Sequence, residues 1–191
     1  MTEVFTRNVV NGLDLDALNT VVGEIQQDSS KALVRFSVAT RWTGRTGSRS
    51  AVKGYEIGGE HIAREFEILA DEPEELLGAN SAPNPQELLM SAINACMTVG
   101  YVAGASLHGI TLDALEIETT GQLDLRGFLG LDDAVPPGYE EIDYTVRISG
   151  NGTKEQFEEI HRTVMRTSPN YFNMARPIRM NGRLQVSQAS V

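Results

Sequence analysis

The chain contains one cysteine, Cys96, within the stretch SAPNPQELLMSAINACMTVGYVAG at residues 81–104. A thiol reacts as its thiolate, which a neighbouring cation or a helix N-terminus favours and apolar burial disfavours. If the stretch is helical, Leu89, Ala92, Ile93, Val99, Gly100, Ala103 and Leu107 fall near the Cys96 face at 100° per residue, and that face is apolar. Cys96 lies some three turns beyond the helix start, where the end effect of the helix dipole has faded. Its own helix therefore offers no activation. Cys96 is either an inert core thiol or a nucleophile whose cation comes from elsewhere.

The remaining reactive side chains are sparse. His161 stands seven residues before Ser168, so the two share a side of one helix, and the imidazole is either a proton relay for a thiol or a structural core histidine. No G-x-S-x-G elbow surrounds Ser168, so the pair is no hydrolase signature. His61 falls at a turn–strand junction and His108 just past a helix end; three scattered histidines with one cysteine predict no metal site and no bound cofactor. One cysteine also excludes an intrachain disulfide. Met165, Tyr171, Phe172 and Met174 would suit the wall of a cavity for an alkyl or aryl ligand, and equally a core or a dimer interface.

The elements that must position these residues are legible from periodicity and caps. Asp14 opens an amphipathic helix, DLDALNTVVGEIQQ, with Leu15, Leu18, Val22 and Ile25 at helical spacing. From Ala32 the period becomes two, with Val34, Phe36, Val38 and Trp42 on one face of a strand. Turns at TGRTGS and at Gly58–Gly59 then separate two further strands, SAVKGYEI and HIAREFEIL, as an antiparallel meander. The acidic stretch DEPEE reads as a solvated loop. Asn84, Pro85 and Glu87 form a strong helix start, and the helix runs to about Leu107, stopped by His108–Gly109. Gly100 and Gly104 inside it predict close packing of another helix. Strand-like stretches ITLDALEIETTGQLDLRG and YEEIDYTVRISG form a hairpin around a diproline loop. Thr153 and Gln156 box the start of a further helix, which Pro169 ends. Ser168 then caps a short segment, PNYFNMA, and RPIRMNGRLQVS reads as a closing strand. The order predicts an α+β fold.

Composition narrows the functional classes. A 191-residue chain with 41% hydrophobic and 22% charged residues suits one globular domain. A net charge of -10 argues against nucleic acid or anionic lipid as a partner. No run approaching the roughly 18 apolar residues of a membrane span stands out, and the start lacks the order of a signal peptide. A cytoplasmic protein is expected.

The order PNPQELLMSAINAC, HGITLDALEIETTGQLD, GYEEIDYTVRISG, a capped helix and SPNYFNM resembles the OsmC/Ohr family of osmotically inducible and organic hydroperoxide resistance proteins, over about residues 31–188. The resemblance implies a single OsmC-like domain spanning residues 1–191, with a core at 31–188 and an N-terminal helical extension at 1–30. It implies an intertwined homodimer in which curved antiparallel sheets enclose long central helices, with a reactive site at the subunit interface. In the family's peroxidases a helix cysteine attacks a hydroperoxide, an arginine stabilises its thiolate, a glutamate orients the arginine, and a second cysteine resolves the sulfenic acid. Cys96 matches the first cysteine and Arg45 the arginine, with Arg41 and Arg49 as alternatives. Gln86 occupies the glutamate position; Glu87 is adjacent but about 180° around the helix from Cys96. Ser168 stands where the resolving cysteine would be, so an external thiol must complete any turnover. Two readings follow: a single-cysteine thiol-dependent peroxidase, or a non-catalytic binding protein holding a small apolar ligand at the dimer interface.

Overall fold

The computed structural model describes residues 8–187. Strands β1 (Val9–Val10) and β2 (Leu13–Asp14) form a small hairpin across Asn11 and Gly12, both with positive φ. The Asn11 amide anchors this hairpin. It donates to the Ile110 carbonyl at 2.8 Å and the Ser106 hydroxyl at 3.0 Å, and accepts from the Leu112 amide at 2.9 Å. Asp14 then caps helix α1 (Leu15–Gln27), accepting from the Asp16 and Ala17 amides as the sequence predicts.

Strands β3 (Val34–Phe36), β4 (Ala39–Gly44), β5 (Gly47–Ile57) and β6 (Glu60–Ala70) form an antiparallel sheet. Both β3 and β4 pair along one edge of β5, and β6 pairs along the other. The single strand expected from Ala32 is thus broken at Ser37–Val38. Phe36 pairs with Tyr55 and Ala39 with Ala51, so three steps on one strand face four on β5 and the ladder is interrupted there. The apolar side chains of Phe36, Val38, Trp42 and Phe66 are all exposed, Trp42 by 77%.

Helix α2 (Pro85–Leu107) starts at the predicted capping box, with the Asn84 side chain and the Glu87 carboxylate each bonded to the other's backbone amide at 2.8 Å. This 23-residue helix is by length and composition long and apolar enough to cross a membrane, its most apolar 18-residue window having a mean hydropathy of 1.5, which corrects the expectation that no such run exists. Its inner face is nevertheless occupied by protein. A Cβ at Gly100 would lie 3.1 Å from a Val164 methyl, and one at Gly104 3.0 Å from an Ile160 methyl. Both contacts come from α4 (Lys154–Thr167), so the glycines mark close helix packing, as their spacing predicts. Ile93, Met97, Tyr101 and Ala105 of α2 join Ile110, Ile160 and Val164 in the buried core.

A second antiparallel ladder, β7 (Leu112–Gly121) with β8 (Ile142–Gly150), packs Leu115, Ile117, Val146 and Ile148 against that core. Between the two strands lies a short helix, α3 (Leu125–Phe128), where the sequence reading extended the first strand to Gly127. Asp124 causes the difference: its carboxylate accepts from the Arg126 amide and pairs with its guanidinium, closing a turn that a strand would forbid. Pro169 ends α4, and Ser168 caps α5 (Pro169–Ala175) as expected. The closing strand is not formed: residues 177–187 are without strand, and Ile178, Met180, Leu184 and Val186 are exposed. Apolar alternation by itself does not make a strand, which forms only when its backbone pairs with a neighbour, and this segment pairs with none among the described residues. The whole is an α+β arrangement of antiparallel sheets and helices.

Candidate functional site around Cys96

Cys96 is half-buried on α2, and Ser168 lies against it, 5% exposed, its hydroxyl donating to the Cys96 Sγ at 3.3 Å. Three local features hold the serine there. Pro169 forces the helix to stop, the Ser168 amide still donates to the Val164 carbonyl at 2.8 Å, and the Ser168 Oγ accepts from the Tyr171 amide at 3.4 Å. The Asn170 amide group then donates to the Ala92 carbonyl at 2.8 Å, fastening the α5 start to α2 one turn before the cysteine. Sequence reasoning passed over Asn170, although it sits in the SerProAsn turn that carried the resemblance.

His161 is drawn elsewhere. Its Nδ1 pairs with the hydroxyl of Tyr101, whose residue is 1% exposed, and the two rings stack with centroids 6.0 Å apart. Burial pushes the Tyr101 phenol well above its ordinary range, with Tyr144 adding to the shift. His161 and Ser168 therefore share a helix side but not a contact, and His161 belongs to an aromatic cluster completed by Tyr144 and Tyr171. The His108 Nδ1–H donates to the Gly104 carbonyl at 2.9 Å, as a helix end group.

Gln86 lies on the first turn of α2 and lines a groove of about 510 Å³ with Leu89, Ile93, Tyr144, Tyr171 and Met174. Tyr171 and Met174, picked out from sequence as apolar wall, are thus in one groove; Phe172 is exposed. Ten residues separate Gln86 from Cys96, about 15 Å along a helix axis, so the two side chains do not meet within the chain. Glu87 is committed to the capping box.

Arg45 occupies the tip of the β4–β5 hairpin with φ +47, and its carbonyl accepts from the Trp42 indole at 2.8 Å. Arg41 pairs with Arg49 across the ladder, and Arg49 forms an ion pair with Glu67 at 3.1 Å. Among the described residues Ser168 is the hydrogen-bonding partner of Cys96, and none of Arg41, Arg45 and Arg49 hydrogen-bonds to it.

The acidic loop departs most from its sequence reading. Asp71 is not solvated but 3% exposed. One carboxylate oxygen accepts from the Thr46 hydroxyl at 2.7 Å and the Glu72 amide at 2.9 Å. The other accepts from the Ala79 amide at 3.1 Å and from the Ser81 amide and hydroxyl at 3.1 and 2.7 Å. These donors, led by the Thr46 hydroxyl, hold its carboxyl far below the usual carboxylate range. Gly78 is required where the loop doubles back, because a Cβ there would collide with the Glu72 carbonyl. The neighbouring Glu72 Oε2 is buried without a partner among the described residues.

No group of three or more His, Cys, Asp or Glu side chains among the described residues could hold a metal ion. The Ser168 hydroxyl gives the half-buried sulfur a polar neighbour that can hydrogen-bond to it.

The architecture recurs in solved structures. An OsmC-like protein from Mycoplasma pneumoniae matches with a TM-score of 0.58 at 16% identity, covering 74% of this chain and 87% of its own. An OsmC-like protein of unknown function from Vibrio cholerae matches with a TM-score of 0.52 at 14% identity, covering 72% and 92%. At these identities the likeness shows the fold. No curated protein matches the chain in sequence. The family model described as OsmC-like protein matches residues 78–181, which is more than half of the chain and includes Cys96 and Ser168. By that match and by its fold, the chain belongs to the OsmC-like protein family.

Proposed function

We propose that this protein is a single-cysteine, thiol-dependent reductase of organic hydroperoxides. The observation that carries the reading is the buried Ser168 hydroxyl on the Cys96 sulfur at 3.3 Å. The Cys96 thiolate attacks the terminal oxygen of the hydroperoxide; an S–O bond forms, the O–O bond breaks, and the alkoxide leaves as alcohol with a proton. The sulfur becomes a sulfenic acid, to which Ser168 donates. With no second cysteine in the chain, an external thiol condenses with it to a mixed disulfide and water, and a second thiol restores Cys96.

Arg45 is the cation in this reading, and it acts across a homodimer. Thr46 ties the Arg45 turn through Asp71 to Ser81, three residues before the α2 cap. Gln86 lies about 15 Å along the α2 axis from its own Cys96, the tie draws the Arg45 turn towards that same end of the helix, and in this reading both residues serve the sulfur of the other protomer. The exposed apolar surface of β3–β6 and of Leu89, Val99 and Leu107 on α2 supports such a dimer. A solution-sizing experiment that finds a stable folded monomer contradicts it.

A second reading, a binding protein for an apolar ligand with Cys96 inert, is favoured by the groove that Leu89, Ile93, Tyr171 and Met174 line. The test between them is trapping of sulfenic acid on Cys96, read by intact mass, after exposure to cumene hydroperoxide or hydrogen peroxide. The peroxidase reading expects rapid addition of one oxygen, faster with the organic peroxide and collapsing in Arg45→Ala. Oxidation no faster than that of a free thiol favours the binding reading.

A further inference from the structure

We infer that Asp71 and Thr46 form a latch that positions Arg45, making Asp71 a positioning residue for the Cys96 chemistry; the inference rests on the function proposed above. The Arg45 turn is a two-residue connection between β4 and β5, and a hairpin tip of this kind ordinarily moves freely. Here it is fixed at both sides. The Trp42 indole holds the Arg45 carbonyl at 2.8 Å, and the Thr46 hydroxyl is held by Asp71 at 2.7 Å.

Asp71 is itself immobilised. It is buried at 3% exposure and takes four further hydrogen bonds, from the Glu72, Ala79 and Ser81 amides and the Ser81 hydroxyl. The Asp71 amide also donates to the Pro83 carbonyl at 3.3 Å, so the loop between β6 and α2 closes around this carboxylate. That loop delivers Asn84, the α2 cap, and then Gln86. One carboxylate therefore joins the element carrying Arg45 to the element carrying Gln86. The tie matters because α2 lacks a glutamate at position 86 to orient the arginine electrostatically. With a neutral Gln86, the direction of the guanidinium depends on where the hairpin is anchored, and a misplacement of about 1 Å costs an active site up to 100-fold.

The test uses Thr46→Val, which removes the latch bond while leaving the other four bonds of Asp71 in place; Asp71→Ala strips all five from a buried site and endangers folding. The rate of Cys96 oxidation by cumene hydroperoxide at neutral pH is expected to fall about tenfold in Thr46→Val, to recover in Thr46→Ser, and to show no further loss when Thr46→Val is added to Arg45→Ala. Trp42, the single tryptophan, reports the hairpin directly, and its fluorescence anisotropy should fall in Thr46→Val and recover in Thr46→Ser. A wild-type rate in Thr46→Val, with Arg45→Ala collapsed, overturns the latch and leaves the functional reading standing. An unaffected rate in Arg45→Ala overturns the functional reading and the positioning role with it. Equal losses from Thr46→Val with and without Arg45 also overturn the inference, since a merely structural role would act independently of the arginine.

Discussion

Replacing glycine by alanine inside a helix ordinarily stabilises it, by about 1 kcal/mol, so the sign of the change at Gly104 tests the packing that holds the site together. An added Cβ at Gly104 would stand 3.0 Å from the Ile160 Cγ2, tighter than van der Waals contact, and Ile160 is 1% exposed with nowhere to retreat. Overpacking of a filled core costs about 1–3 kcal/mol. The propensity gain offsets about 1 kcal/mol of this, leaving Gly104→Ala destabilised by about 1 kcal/mol. Gly23 in α1 is the control, because a Cβ there meets nothing within 4 Å, and Gly23→Ala should gain the full propensity term of about 1 kcal/mol. The difference of about 2 kcal/mol corresponds to roughly 4–8 °C in Tm for a chain of this size. Thermal denaturation of both variants at one protein concentration measures it. A Gly104→Ala variant stabilised as much as Gly23→Ala would refute the close approach of α4 to α2, and with it the geometry that brings Ser168 over Cys96.

Ser168→Cys should place a second thiol beside Cys96 and yield an intrachain disulfide after one equivalent of hydroperoxide, seen as a loss of two hydrogens in the intact mass of the alkylation-resistant product; persistent sulfenic acid would contradict the 3.3 Å approach. Ser168→Ala should shorten the lifetime of the Cys96 sulfenic acid several-fold, in line with loss of a hydrogen bond of about 1 kcal/mol, measured by delayed trapping. Mixed dimers of Cys96→Ser and Arg45→Ala chains should regain oxidation at one site in two if Arg45 acts across the interface, and none if it acts within its own chain. The Asp71 carboxyl ionises far below its ordinary range because Thr46 and Ser81 donate to it. Its stabilising effect is therefore complete above about pH 4, the unfolded value, and is lost as the pH falls further. Asp71→Asn should flatten the acid limb of a Tm–pH profile, and an unchanged limb would show that the buried network does not contribute.

What was legible in the sequence were the features set by a few adjacent residues. The Asn84–Glu87 and Thr153–Gln156 boxes, the Pro169 stop and the Ser168 cap each depend on side chains reaching their own backbone within one turn, and all form as expected. Gly100 and Gly104 announced a close helix, though not that Val164 and Ile160 would fill the space. The closing strand failed although Ile178, Met180, Leu184 and Val186 alternate as a strand would, because alternation alone does not supply the backbone partner a strand needs. Asp71 was hidden for the opposite reason. In DEPEE it looks like its exposed neighbours, and only the return of the chain at residues 78–83 surrounds it with donors. The Cys96–Ser168 contact was reachable through the family resemblance, whereas periodicity alone gave Cys96 only an apolar helix face.

The central claim is that Cys96 is an activated thiol whose cation is Arg45, and the most direct test is the second-order rate constant of Cys96 with cumene hydroperoxide at pH 7, in the wild-type protein and in Arg45→Ala. The account predicts a wild-type rate at least about 100-fold above that of free cysteine, the scale set by one electrostatic stabiliser at a reacting centre, and a return to the free-thiol rate in the variant. A wild-type rate equal to that of free cysteine, unchanged by Arg45→Ala, would contradict it.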